Sequence, residues 1–199
     1  MDQRPSLRER KRAKARHDIV AAAYALFTER GYAQVTVADI AERAEVGRTT
    51  FFRHFGDKQE VVFAGEQELL DELRARYEPM PVAKAPDLGT ALELLRGVVL
   101  SICAESVSDP AHYRLRERLI AQNAELADRG ARKLAALAEL AGEILRGLGA
   151  EPRTAVLAPL LARACFQAGR ELAGHDPAAL IPQVTAAFDS LAGQVGRPG

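Results

Sequence analysis

The chain has 199 residues, 48% apolar and 27% charged, enough to bury a real core in one compact unit or two small ones. No uncharged run is long enough to span a bilayer, and the N-terminus is polar and basic, which excludes a membrane protein and points to the cytoplasm. The formal net charge of zero hides an asymmetry: residues 1–58 hold twelve Lys/Arg against eight Asp/Glu, and residues 59–199 hold fifteen against nineteen. Only the first third is suited to meet a polyanion. Alanine and leucine dominate, Trp is absent, and clusters of β-branched residues are few, so the chain reads as all-α. Cys103 and Cys165 lie far apart without metal-ligand spacing and fit a reducing interior.

Residues 1–16, MDQRPSLRERKRAKAR, carry seven basic residues and two acidic ones. Alone this is a frayed, solvated terminus. Beside a DNA-reading element it becomes an arm along the phosphates, with Arg10, Arg12 and Lys14 as the neutralising residues. A helix over Arg16–Arg30 turns Ile19, Ala23, Leu26 and Phe27 inward and stops at Gly31. Tyr32 then plugs a small core. Thr36–Lys58 reads as a short helix, a tight turn, a second short helix and the start of another. In the first, Val37, Ile40, Ala41 and Ala44 form an apolar stripe behind a Thr36/Asp39 capping box. In the second, Phe51 and Phe55 face inward, and Arg48, Thr49, Thr50, Arg53 and His54 are hydrogen-bonding types. Asp57 and Glu60 form a second box, opening a helix from Lys58 to about Tyr77 with Val61, Val62, Phe63, Leu69, Leu70 and Leu73 as its apolar positions.

Two short helices around a tight turn, the second with polar side chains outward, have the form of a DNA-reading helix-turn-helix. Arg48 and Arg53 are placed to pair bidentately with guanine, and Thr49 and Thr50 to meet a base edge, a thymine methyl or a phosphate. Thr36, His54 and Lys58 are assigned to the DNA backbone, with a capping or packing role as the alternative for His54.

The run from His17–Arg30 through Gly31-Tyr32 and T-V-A-D-I-A to F-F-R-H-F-G-D-K resembles the TetR family of transcriptional repressors. Three positions depart from that pattern. Glu45 stands where a glycine is usual in the turn, which demands a left-handed backbone from a residue with a Cβ. Gly47 replaces the usual serine cap. Phe52, kept among the DNA-facing candidates, replaces a phosphate-contacting tyrosine. The resemblance implies an N-terminal DNA-binding domain over residues 1–60 and a C-terminal helical effector-binding and dimerisation domain over 61–199. It also implies a homodimer on a palindromic operator, released by a small effector.

Beyond the proline-rich loop at 78–86, Asp87 opens a helix to about Glu105, with Leu88, Leu92, Leu95, Val99 and Ile102 inside. Asp109-Pro110 is a cap followed by proline at the first helical position of a helix to Gln122. Asn123 caps the next, which ends near Gly147-Leu148-Gly149. The last two helices span Arg153–Ala173 and Pro177–Val195. Pro159 is expected to kink the first of them or to sit in an irregular first turn. Ala162, Cys165 and Gly169 on one, and Leu180, Val184, Phe188 and Leu191 on the other, form faces that need a partner surface. That surface is either the chain's own core or a second subunit, and the resemblance assigns these helices to a dimer interface. Leu95, Val99, Cys103, Leu119, Phe166 and Arg170 are the candidate effector-lining residues, with plain core as the competing reading. The block DPAHYRLRERLIAQNAELADRG, together with T-F-F-R-H-F, resembles the TetR subgroup that contains the mycofactocin-system regulator. That likeness implies an acyl-thioester or other greasy effector.

The sequence holds no P-loop, no H-E-x-x-H, no G-x-S-x-G and no C-x-x-C, and His17, His54, His112 and His175 are scattered. Neither an enzyme nor a bound metal or cofactor is expected. The alternative to a ligand-released repressor is an activator or DNA-organising protein of the same fold that needs no effector.

Overall fold

The computed structural model describes residues 6–65 and 85–195, and every regular element among them is helical. The chain divides into two compact units, Met1–Gln67 and Glu68–Gly199. In the first, α1 (Leu7–Arg30) leads through a 3-10 turn (Tyr32–Gln34) into α2 (Val37–Arg43), α3 (Arg48–His54) and α4 (Lys58–Val62). In the second, α5 (Leu88–Ser106), α6 (Pro110–Gln122), α7 (Ala124–Gly147), α8 (Pro152–Ala173) and α9 (Pro177–Val195) follow in order. The expected continuation to Tyr77 with Leu69, Leu70 and Leu73, and most of the proline-rich stretch, lie outside the described residues.

One helix starts earlier than its apolar pattern suggests. The basic segment is helical from Leu7, because LRERKRAKAR contains only residues that tolerate a helix well. The basic arm is thus the first turns of α1. Lys14 pairs with Asp18 one turn on at 2.6 Å. Ile19, Ala23, Leu26 and Phe27 are buried as their spacing predicts. Gly31 takes φ 78°, and Tyr32 packs its ring 5.1 Å from that of Phe27.

The start of α2 is locked by its capping box. Asp39 N–H donates to Thr36 Oγ1 at 3.2 Å, and Thr36 N–H donates to Asp39 Oδ2 at 2.8 Å. Such a cap is worth about 1 kcal/mol. Hydrogen bonds from the Thr36 hydroxyl and amide hold the Asp39 carboxyl below the usual carboxylate range. The helix ends in a Schellman motif: Val46 N–H reaches Ala41 O at 2.9 Å and Glu45 N–H reaches Glu42 O at 3.0 Å. The left-handed position of that motif is Glu45, at φ 53°. Phe51 and Phe55 then close the core beneath α3.

In the second unit the caps are carboxylates. Asp87 accepts from Thr90 N–H at 2.8 Å, and Asp109 accepts from the amides of Ala111 and His112 at 3.0 Å each. Pro159 lies buried inside α8 and the helix continues through it. Lacking an N–H, Pro159 leaves the Ala155 carbonyl without its helical donor. Gly142 of α7 sits against that carbonyl, so closely that a Cβ there would lie 2.7 Å from Ala155 O. Gly169 plays the same part between α8 and α9, where a Cβ would fall 2.5 Å from the Cα of Val184. Two apolar clusters result. One holds Cys103, Tyr113, Ala162, Cys165, Leu180, Val184 and Phe188. The other holds Ala91, Leu92, Leu145, Ala155 and Ala158, and Leu95 and Leu191 pack on both.

Candidate functional site

Two helical turns carry the candidate interface. Phe51 is fully buried, and that anchor decides which way the rest of α3 points. Arg48, Thr49, Phe52 and Arg53 are exposed and Thr50 is half-buried. Phe52 stands 55% open to solvent although it is aromatic, with its ring edge-on to Phe51.

The cations of this unit fall into two sets. Arg43 forms a two-pronged pair with Glu29 at 2.6 and 3.0 Å, Arg30 meets Asp39 at 3.4 Å, and Lys14 meets Asp18. Arg16 donates to Ala64 O at 2.7 Å with its guanidinium 4.5 Å from the Phe55 ring centre. Against these stand Arg10, Arg12, Arg48 and Arg53, which are exposed and have no ion-pair partner among the described residues. Internal carboxylates thus neutralise the scaffold cations and leave the α3 face and the start of α1 positive.

Three residues assigned to the DNA backbone are engaged or packed within the chain itself. The Lys58 ammonium donates to Tyr32 O at 2.9 Å and Val35 O at 3.0 Å and lies 4.3 Å from the Tyr32 ring centre. Two of its three donors therefore fasten the start of α4 to the 3-10 turn. The Thr36 hydroxyl is taken up by the capping box. His54 Nε2 is buried without a hydrogen-bond partner among the described residues. Burial first, then the neighbouring Arg53, Arg12 and Arg16, push the His54 pKa below the ordinary imidazole value. A neutral imidazole wedged beside three arginines fits the packing alternative rather than a phosphate contact.

In the second unit, Cys103, Leu95, Val99 and Phe166 gather on one apolar cluster, whereas Leu119 is buried outside it. Burial pushes the Cys103 thiol up to about 11 and raises that of Cys165, so neither is a ready nucleophile. Arg170 is fixed by a residue that composition gave no reason to single out. Its Nε donates at 2.6 Å to Oε2 of Glu117, which is only 4% exposed, while Arg116 donates to Oε1 at 3.1 Å. Tyr113, one turn before Glu117, buries a hydroxyl that has no hydrogen-bond partner among the described residues. Such a group costs about 1–3 kcal/mol. The i,i+4 pair Tyr113/Glu117 inside Y-R-L-R-E was the signal available in the sequence, obscured by the arginines around it.

The residues assigned to a dimer interface require correction. Ala162, Cys165, Gly169, Leu180, Val184 and Phe188 are buried within a single chain, and Leu191 is half-buried against the same clusters. The absent side chain of Gly169 lets α9 close on α8, which turns this small-residue face into an internal seam. The outer side of α8 instead exposes Val156, Leu160 and Leu172, at 50%, 50% and 70%, with Ala164 and Ala168 between them at four-residue spacing.

Residues 19–64, which contain α2, α3 and the buried half of α1, match the family of bacterial regulatory proteins of the tetR type. That stretch is similar to the TetR type. The chain is 38% identical over 82 residues to the transcriptional regulator TcmR of Streptomyces glaucescens, covering 41% of this chain and 36% of TcmR. It is 29% identical over 124 residues to MftR of Mycobacterium tuberculosis, a regulator assigned to mycofactocin biosynthesis, covering 59% of this chain and 57% of MftR. The matched stretch thus spans between about a third and a little over half of these TetR relatives. The solved complex of SmeT with triclosan shares the fold over 90% of each chain, with a TM-score of 0.58 and 23% identity. The relatives matched are named as transcriptional regulators, and no helix among the described residues of this chain is long and apolar enough to cross a membrane.

Proposed function

We propose that this protein is a cytoplasmic transcriptional repressor that binds a palindromic operator as a homodimer and lets go when a small, largely apolar effector enters the C-terminal unit. The observation that carries the reading is the α3 face. Phe51 anchors the helix while Arg48, Thr49, Phe52 and Arg53 stand open, and no internal carboxylate neutralises the two arginines among the described residues. Two such helices related by a two-fold axis enter successive major grooves about 34–36 Å apart. Arg48 and Arg53 read guanine, Thr49 and Thr50 meet base edges or phosphates, and Arg10 and Arg12 on the first turns of α1 add salt-sensitive phosphate contacts. Dimerisation uses the outer side of α8, where Val156, Leu160 and Leu172 stand exposed. Effector release requires the ligand to prefer the conformer that does not fit DNA.

The test is selection of bound duplexes from a random pool, followed by binding of the winner and of a scrambled duplex. The winner should be palindromic, and its affinity should fall steeply with added salt. Arg48→Ala should lose about 1–3 kcal/mol of preference per base pair it reads while retaining non-specific binding. A variant that keeps full preference for the selected duplex removes Arg48 from base reading.

A further inference from the structure

The C-terminal unit carries a polar array inside an otherwise apolar cluster. Tyr113 is 2% exposed, and its Oη is buried with no hydrogen-bond partner among the described residues. Around it stand Glu117, Arg170 and Cys103, close enough to influence its ionisation. Glu117 has both oxygens engaged, Oε2 by Arg170 Nε and Oε1 by Arg116, so it offers no acceptor to the tyrosine. With both Glu117 oxygens engaged, the groups this array offers are donors, although the Asp176 carboxylate also acts on the tyrosine. Arg170 donates to protein only through Nε among the described residues, so its terminal amino groups remain available. Leu95, Val99 and Phe166 pack on the same cluster, half-buried rather than sealed.

We infer that this array recognises the polar end of the effector, and that the effector is a hydrophobic weak acid: an apolar body carrying an oxygen acceptor with negative charge. The Tyr113 hydroxyl supplies a donor that the fold itself leaves idle, and Arg170 supplies the matching charge. Glu117 orients Arg170, whose guanidinium repels a cationic head group. Binding converts a buried unpaired hydroxyl into a satisfied one, so the acceptor is selected more sharply than the shape of the apolar tail. The inference rests on the effector-responsive reading above.

The probes are straight-chain carboxylates from butanoate to decanoate, set against n-alkylamines of the same lengths, added to the full-length protein. Thermal unfolding reports binding, and release of the selected duplex reports response. One or more carboxylates should raise the Tm in a concentration-dependent way while the matched amine does not. Tyr113→Phe should weaken that carboxylate at least tenfold and leave the Tm of the free protein unchanged or higher, since the variant no longer buries an unpaired hydroxyl. A Tyr113→Phe protein that melts lower and binds the carboxylate normally overturns the inference. So does stabilisation by amines as strong as by carboxylates, or no stabilisation by any carboxylate. A carboxylate that binds through Tyr113 yet leaves the duplex bound upholds the inference and overturns effector release. A duplex released by amines alone does the reverse.

Discussion

The two units put their polar chemistry in opposite places. In Met1–Gln67 the polar groups offered to a partner stand outside the core, on the solvent side of a helix fixed by Phe51. In Glu68–Gly199 the corresponding groups, Tyr113, Glu117 and Arg170, sit within or against the core, and the helix faces are shaped to close on each other. A surface reader tolerates a simple core, whereas a unit that answers to an enclosed ligand depends on how its helices pack. The difference is sharpest at Gly169. Gly169→Ala would push a Cβ to within 2.5 Å of the Val184 Cα, a backbone atom that yields only if α9 moves. Overpacking of this kind costs about 1–3 kcal/mol. Hydrogen exchange should show faster opening across α8 and α9 while protection of the buried α1–α3 segments is unchanged. Equal loss of protection in both units would mean that they unfold as one and would break the contrast.

The reverse experiment acts on the first unit alone. Glu45 holds the left-handed position of the turn between α2 and α3 at φ 53°, a conformation that costs a residue with a Cβ about 1–2 kcal/mol. Part of that gain is returned through the freer unfolded chain, so Glu45→Gly should stabilise the first unit by about 1 kcal/mol. The exposed Glu45 side chain also brings a negative charge to the turn beside Arg48, so affinity for duplex should not fall. Denaturant unfolding followed by exchange in α2 and α3 checks this. A loss of stability would show that Glu45 makes a compensating contact.

How far each unit could be read in advance follows from the same contrast. Thr36/Asp39, Phe51/Phe55 and Asp57/Glu60 each act within one turn of their neighbours, and the capping box and the buried anchors stand where local spacing put them. Glu45 was recognisable as a left-handed residue because it stands where the resembled TetR pattern has a glycine. The start of α1 at Leu7 was missed because apolar periodicity is silent where a helix is solvated on all sides. In the second unit the helix starts at Asp87 and Asp109 were legible for the same local reason. The seam was not. A stripe of Ala162, Cys165 and Gly169 says that something comes close, and only the three-dimensional pairing says that it is α9 of the same chain. Lys58 misled in another way, since a cation at a helix start looks alike whether it faces a phosphate or the chain's own carbonyls.

The smallest effect tests whether the first unit also has a buried weak point. Burial and the nearby Arg53, Arg12 and Arg16 keep the folded-state pKa of His54 below the 6.5 of a free imidazole. The unfolded chain therefore takes up the proton first as pH falls. Above about pH 7 neither state is protonated and His54 has no effect; below it the unfolded state is increasingly favoured, until the folded-state pKa is passed and the loss levels off. Carboxylates such as Asp39, whose folded-state pKa is depressed, begin to cost stability only at lower pH, so the two windows separate. His112 in the second unit is shifted the same way by burial, with Asp109 opposing, so whole-protein unfolding would mix two histidines. Exchange at the amides of α3 between pH 7 and 5.5, corrected for intrinsic rates, isolates the first. His54→Gln should flatten the pH dependence there and leave that of α6 as it was. If the slope in α3 survives the substitution, the imidazole is not buried neutral, and its assignment to packing rather than to DNA has to be reversed.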